Sequence, residues 1–233
     1  LETFLRMHKI PYTNDHTSKF SSKGKTPWIQ YNGVSVADSQ LSINFLRKTF
    51  NLEDEDLTPV EEATGRAFQK MTEENLYWTM CHSLFIENQS RVGEVLPLYT
   101  GIKLKILIFI LSRVLRLEMW GHGIGRHSSK DIEQIGSEDL LALSTFLGEK
   151  KYFLGEEPRE VDCAIFGMLV QIAYHMPGTP HERLIHDKYR NLLEYCERIK
   201  AKYWPDWEDR CFNADNVTDD MGHIYHKPNG MAS

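Results

Sequence analysis

The sequence predicts an α+β chain in two parts, a short mixed lobe leading into a larger all-helical one. Three observations carry this. Within about the first fifty residues the pattern runs helix, loop, strand, tight turn, strand, helix. The acidic, apolar-poor run Asn51-Leu52-Glu53-Asp54-Glu55-Asp56 then reads as a linker. Beyond it every periodic segment has helical spacing. The boundaries that follow are a first domain over 1–52, a helical domain over 57–210 and a disordered tail over 213–233.

Each element has its own signal. Leu1, Phe4 and Leu5 lie on one face of a helix that stops at Ile10-Pro11, since the residue before proline is pushed out of the helical region. That helix starts without a cap, as though the natural chain began further upstream. Residues 13–25 are polar and read as a loop with room for one short edge strand. Trp28-Ile29-Gln30-Tyr31 is a β run, Asn32-Gly33 a hairpin turn and Val34-Ser35-Val36 the returning strand. Asp38 or Ser39 caps the next helix.

In the helical part, Val60, Ala63, Ala67, Met71, Trp78, Cys81 and Phe85 form a stripe over about seven turns, with Glu74 in its gap. An acid on such a face needs a partner or water. Residues 102–120 are the most hydrophobic stretch. Lys103, Lys105, Arg113 and Arg116 interrupt it, so it reads as a largely buried helix, with a basic amphipathic helix on a membrane surface as the alternative. Gly121-His122-Gly123-Ile124-Gly125-Arg126-His127 breaks that helix, and Ser128 with Asp131 opens the next, through about Leu147. One helix follows Pro158, and a last one, around Leu192 to Tyr203, ends at Pro205.

A chain of 233 residues with net charge −6 lacks the basic balance of a nucleic-acid binder. Four cysteines (Cys81, Cys163, Cys196 and Cys211) form no CxxC pair and no ligand spacing with histidine. They read as small apolar residues of a reducing, cytoplasmic setting, and no metal site is expected. The glycine cluster is no phosphate loop, because it follows a helix and lacks the lysine. His122 and His127 read as turn residues.

Two landmarks resemble the glutathione transferase superfamily. Thr26-Pro27 just before a β run looks like its cis-proline element, and Asp38-Ser39 at a helix start looks like its acid-serine pair. Free N–H groups and a hydroxyl at a helix N-terminus make a carboxylate site in their own right. Leu1 to Tyr12 (LETFLRMHKIPY), Gly24 to Tyr31 (GKTPWIQY), Gly121 to Ser128 (GHGIGRHS), Lys151 to Gly167 (KYFLGEEPREVDCAIFG) and Tyr195 to Trp207 (YCERIKAKYWPDW) together resemble failed-axon-connections proteins. That resemblance covers roughly residues 1–210. It implies a glutathione-transferase-like fold with a thioredoxin-type first lobe, kinship with metaxins and a link to axon development.

The resemblance places the family's first strand, and the segment that activates a thiol, before Leu1, so the catalytic residue is unknown. It implies Thr26, Pro27, Asp38 and Ser39 as a site for a glutathione-type ligand, with the hydroxyl of Ser39 and the peptide before Pro27 converging. It puts the long helix with Glu74 and Tyr77 on the second-substrate side of a cleft, and Arg126, in a loop placed to face that cleft, reads as an anion contact or the partner of Glu74. The superfamily favours Ser or Thr three residues before Asp162. Arg159 stands there, so Asp162 alone must accept the backbone bonds. No cofactor is required, glutathione being ligand or substrate. The readings that follow are a non-catalytic or weakly catalytic adaptor, an active glutathione transferase, or a metaxin-like component associated with a membrane through residues 102–117 or an upstream segment. A homodimer is compatible with all three, and the protein partner is unknown.

Overall fold

The computed structural model describes residues 1–15, 20–24, 26–52, 56–95, 99–210, 216–218 and 224–226. The chain divides into two compact units, Leu1–Asp56 together with Tyr203–Ser233, and Leu57–Lys202.

The first unit begins with α1 (Glu2–Met7), whose Phe4 and Leu5 are buried. Residues 11–15 and 20–24 form no strand, so the room left for an edge strand is unused there. Strands β1 (Trp28–Tyr31) and β2 (Val34–Ala37) pair antiparallel, with Trp28 opposite Ala37 and Tyr31 opposite Val34. The turn needs two residues in the left-handed region, which Asn32 (φ 47°) and Gly33 (φ 79°) supply. Helix α2 (Ser39–Phe50) lays Ile43 and Leu46 into the core of this unit, and the Ser42 hydroxyl donates to the Val36 carbonyl at 3.2 Å.

The segment from Tyr203 onward joins this first unit through Arg6. Its guanidinium donates to both carboxylate oxygens of Asp206 (2.5 and 2.9 Å) and to the Tyr203 carbonyl (3.0 Å), and lies 4.0 Å over the Trp204 ring. A planar fork on a carboxylate, stacked on an indole, uses geometry that lysine cannot supply. Helix α11 (Trp207–Arg210) follows. Of the predicted tail, Asn216–Thr218 (β3) and Ile224–His226 (β4) pair antiparallel; the rest lies outside the described residues, as do Cys211 and the linker acids 53–55.

The second unit is helical. One continuous rod runs from α3 (Pro59–Lys70) through a π-helical segment Met71–Leu76 into α4 (Tyr77–His82) and a second π segment, Ser83–Glu87. Thr58 and Glu61 cap it reciprocally. Its predicted apolar stripe holds in the second half, where Cys81 is buried and Trp78 and Phe85 pack against the same cluster, and is corrected in the first. Val60 is 74% exposed and Ala63 and Ala67 are exposed too, while the buried line is Gly65, Gln69, Thr72, Leu76, Thr79 and Ser83. Those residues keep a helical 4-3-4-3-4 spacing but are mostly small or polar, so in the first half of the rod apolarity pointed to the wrong face. The π turns, each holding an extra residue, rotate the later part of the rod relative to the earlier part.

Short α5 (Val92–Val95) precedes α6 (Gly101–His122), α7 (Ser129–Leu147) and α8 (Glu160–His175). Short α9 (Pro180–Arg183) and α10 (Arg190–Tyr203) complete the unit. Leu140, Leu143, Phe153, Ile165, Leu169 and Leu192 are all but sealed from solvent and form its centre. The glycine-rich break is compact. Gly123 turns the chain at φ 110°, Ile124 is buried, and a side chain at Gly125 would lie 2.8 Å from the backbone of Met119 and Trp120. Ser128 and Asp131 then cap α7 reciprocally.

Asp162, fully buried near the start of α8, accepts from the Arg159 amide (2.7 Å), the Phe153 amide (3.0 Å) and the Tyr195 hydroxyl (2.9 Å). Burial pushes this carboxyl up, while the three donors pull it down. The missing Ser or Thr at position 159 is therefore replaced by one acid that satisfies donors from three places in the chain.

Candidate ligand-binding site

The hairpin register sets the geometry of the predicted site. Trp28 lies opposite Ala37, so their outer neighbours Pro27 and Asp38 stand at the same end of the hairpin, on strands about 5 Å apart. The Thr26-Pro27 peptide is cis. Thr26, Pro27 and Asp38 are exposed and Ser39 is half-buried.

Asp38 is the N-cap of α2. Its Oδ1 accepts from the Gln40 amide (2.9 Å) and the Leu41 amide (3.1 Å), and the Ser42 amide donates to the Asp38 carbonyl. Two of the helix's free N–H groups are thus used internally. Ser39, the first helical residue, keeps its amide and hydroxyl without a partner among the described residues. Two donors at the positive end of a 12-residue helix suit a carboxylate. Asp38 itself holds φ 89° and ψ 136°, a conformation that costs a non-glycine residue about 1–3 kcal/mol. Strain of this kind gathers where a structure holds a residue in place for function.

The other predicted residues do not meet one another. Glu74 is exposed and pairs with Lys70 at 3.4 Å, one helical turn away. Arg126 donates to the Trp120 carbonyl (3.2 Å) and sits 5.5 Å over that ring. The predicted Glu74–Arg126 ion pair is thereby corrected: each has a local partner on its own stretch of helix or turn. Tyr77 packs edge-on against Trp78 and hydrogen-bonds Cys81, and its hydroxyl is raised, by burial first. Cys81 is pushed up to about 11, again by burial first, so it carries no thiolate near neutral pH. Cys163 and Cys196 are also buried and in no disulfide. Among the described residues no cluster of His, Cys, Asp and Glu can hold a metal, and no helix is long and apolar enough to cross a membrane.

Sequence reasoning missed a polar cavity of about 350 Å³ in the helical unit, lined by residues that include Thr79, His82, Ser83, Ser129, His181 and Arg183. Beside it His181, almost sealed from solvent, shares a 3.2 Å hydrogen bond with the Thr79 hydroxyl. Burial, then the charge of His82, holds its pKa down at about 4, so it is neutral. Gly136 lets these groups in: a side chain there would stand 2.2 Å from the His181 ring. The one sequence signal was a lone glycine between Ile132 and Leu140.

Comparison with known proteins agrees with this architecture. Residues 1–90 match the family described as Glutathione S-transferase N-terminal domain. Residues 136–199 match the one described as Glutathione S-transferase, C-terminal domain. The chain is 30% identical to Failed axon connections of Drosophila melanogaster over 92% of its own length, and spans 56% of that protein. It is 27% identical to Isoprene-epoxide--glutathione S-transferase of Rhodococcus sp. (strain AD45), covering 78% of this chain and 79% of that one. With Metaxin-2 of Mus musculus the identity is 23%, over 89% and 81%.

Proposed function

This chain belongs to the glutathione-transferase-like failed-axon-connections family, related to the metaxins, and on that premise we propose that it is a binding protein, an adaptor in axon development that takes a glutathione-type ligand. The observation that carries the reading is the juxtaposition of Thr26-Pro27 with the unpartnered Ser39 at one end of the hairpin. A γ-glutamyl carboxylate receives the Ser39 amide and hydroxyl protons, in line with the α2 dipole. Asp38 fixes that helix end by capping it, and its carboxylate stands by for the ligand's ammonium. The exposed backbone before Pro27 lies alongside for the rest of the tripeptide. No thiol-activating group belongs to this set: Cys81 is buried and protonated, and Tyr77 is raised rather than lowered.

Calorimetry with glutathione on this chain and on an Asp38→Ala, Ser39→Ala double variant tests the site. Binding that the variant abolishes supports it; no binding by the parent chain removes it. A second reading, turnover, is favoured by the similarity to the Rhodococcus transferase. Conjugation of glutathione to an epoxide above the uncatalysed rate would replace the adaptor with an enzyme.

A further inference from the structure

The outer face of α6 is built to meet something. Its inner face packs: Ser112, Leu115 and Met119 are buried, and Leu115 and Met119 join a cluster with Cys81, Ile124 and Ile132. Opposite that cluster, Ile102 (70% exposed), Ile106, Phe109 (58%), Ile110, Leu117 (75%) and Trp120 (59%) stand in solvent. At about 100° per residue these six fall within an arc of roughly 100°, a continuous stripe along a helix some 33 Å long. Scattered exposed hydrophobics are ordinary, but six large ones in one line are an interaction surface.

Charge selects the occupant. The helix carries Lys103, Lys105, Arg113 and Arg116 against the single acid Glu118, in a chain whose net charge is −6. Lys103 flanks the stripe on one side, with Lys105 and Arg116 on the other. Arg113 lies inside it, its guanidinium 4.5 Å over the Phe109 ring in a cation–π contact, on a long stem that can swing the charge out to a headgroup. A second copy of this chain fits poorly. In a twofold antiparallel pairing Arg113, within two residues of the helix midpoint, would face its own equivalent. A peptide helix needs walls, and a single convex helix face has none.

We infer that α6 is a membrane-surface helix, lying in the interface of an anionic bilayer with Ile106, Phe109, Ile110, Leu117 and Trp120 at the acyl boundary and its bases among the headgroups. Such a helix lies on the bilayer and does not span it, as expected for a hydrophobic stretch interrupted by four charges. This inference stands apart from the ligand at the hairpin end, and neither depends on the other.

Co-sedimentation of the full chain with phosphatidylcholine vesicles, with and without phosphatidylserine, tests it. Binding to the phosphatidylserine vesicles that weakens as salt is raised is expected. Arg113→Glu with Arg116→Glu should weaken partition on the order of tenfold or more. Ile106→Asp with Leu117→Asp should abolish it, each variant first matched to the parent by its thermal midpoint. No binding to anionic vesicles at low salt, or binding indifferent to both variants, would overturn the assignment. So would a dimer, seen by light scattering, that Leu117→Asp dissolves, since the stripe would then belong to a second copy.

Discussion

Two helix starts in this protein use the same chemical group for opposite ends. At α8 the carboxylate of Asp162 is sealed in the core, and it takes protons from three donors, two amides and a phenol. At α2 the carboxylate of Asp38 is exposed and caps through one oxygen, while Ser39 beside it keeps two free donors. An acid at a helix N-terminus is thus a structural rivet when its surroundings are complete, and leaves donors open to a ligand when they are not. What separates the two is burial and the number of donors left over, neither of which is visible in a dipeptide.

The sharpest way to break this comparison is to remove the rivet. Asp162→Ala leaves the Phe153 and Arg159 amides and the Tyr195 hydroxyl without their shared acceptor in a dry core. The expected loss, read from urea unfolding, is about 3–5 kcal/mol. A loss below about 1 kcal/mol would mean that water or relaxation replaces the carboxylate. Next in size is Gly136→Ala, whose new methyl would stand 2.2 Å from the His181 ring and 2.6 Å from the Thr79 hydroxyl. Displacing both should cost about 2–3 kcal/mol. A neutral outcome would show that the cavity beside them absorbs the shift.

Two buried groups sharpen the contrast through pH. Asp139, which accepts from the Asn75 side-chain Nδ2 at 2.7 Å, is raised to about 6, by burial first and against that hydrogen bond. The folded chain therefore holds its proton more tightly than the unfolded chain, and this contribution to stability is lost as pH rises from about 4 to about 6. His181 works the other way. Its folded value near 4 lies below the unfolded one, so its contribution is present above about pH 6.5 and lost as pH falls toward 4. The two slopes oppose each other over nearly the same window. Asp139→Asn should raise stability at about pH 7.5 by about 1–2 kcal/mol and uncover the acid-side fall due to His181. Thermal midpoints at about pH 5 and about pH 7.5 decide it; parallel shifts at both would rule out the titration.

Much of the fold was legible in the sequence because local chemistry dictates it. Asn32-Gly33, the Asp38 and Ser128 caps and the stop before Pro205 act within a few residues, and the structure follows them, whereas α1 already ends at Met7, ahead of Pro11, with Lys9 at φ 54°. The long rod was legible as a helix but its first half not in its orientation, since Gly65, Gln69 and Thr72 are buried there while Val60, Ala63 and Ala67 are exposed. Likewise residues 102–120 read as buried because they are apolar, whereas half of that surface faces solvent. For the candidate site, the residue types were readable, but that Pro27 and Asp38 stand at one end of the hairpin needed the strand register. Glu74 and Arg126 were joined because an acid in the gap of an apolar stripe needs a partner, but Glu74 is exposed and finds Lys70 one helical turn away.

The smallest expected effect bears most directly on the comparison, because it separates Asp38 as a cap from Asp38 as a site residue. Asp38→Ala loses the bonds to the Gln40 and Leu41 amides and keeps a side chain at φ 89°. Asp38→Gly loses the same bonds but relieves the backbone, which glycine adopts freely. Alanine should therefore cost about 1 kcal/mol and glycine only a few tenths. If Asp38 matters to the ligand only by shaping the helix end, glycine should retain most glutathione affinity while alanine loses it. If its carboxylate meets the ligand's ammonium, both variants should lose affinity equally despite their unequal stabilities. Stability and calorimetry on the same two proteins discriminate these outcomes, and equal stabilities with unchanged affinity would show that Asp38 is no more than a turn residue.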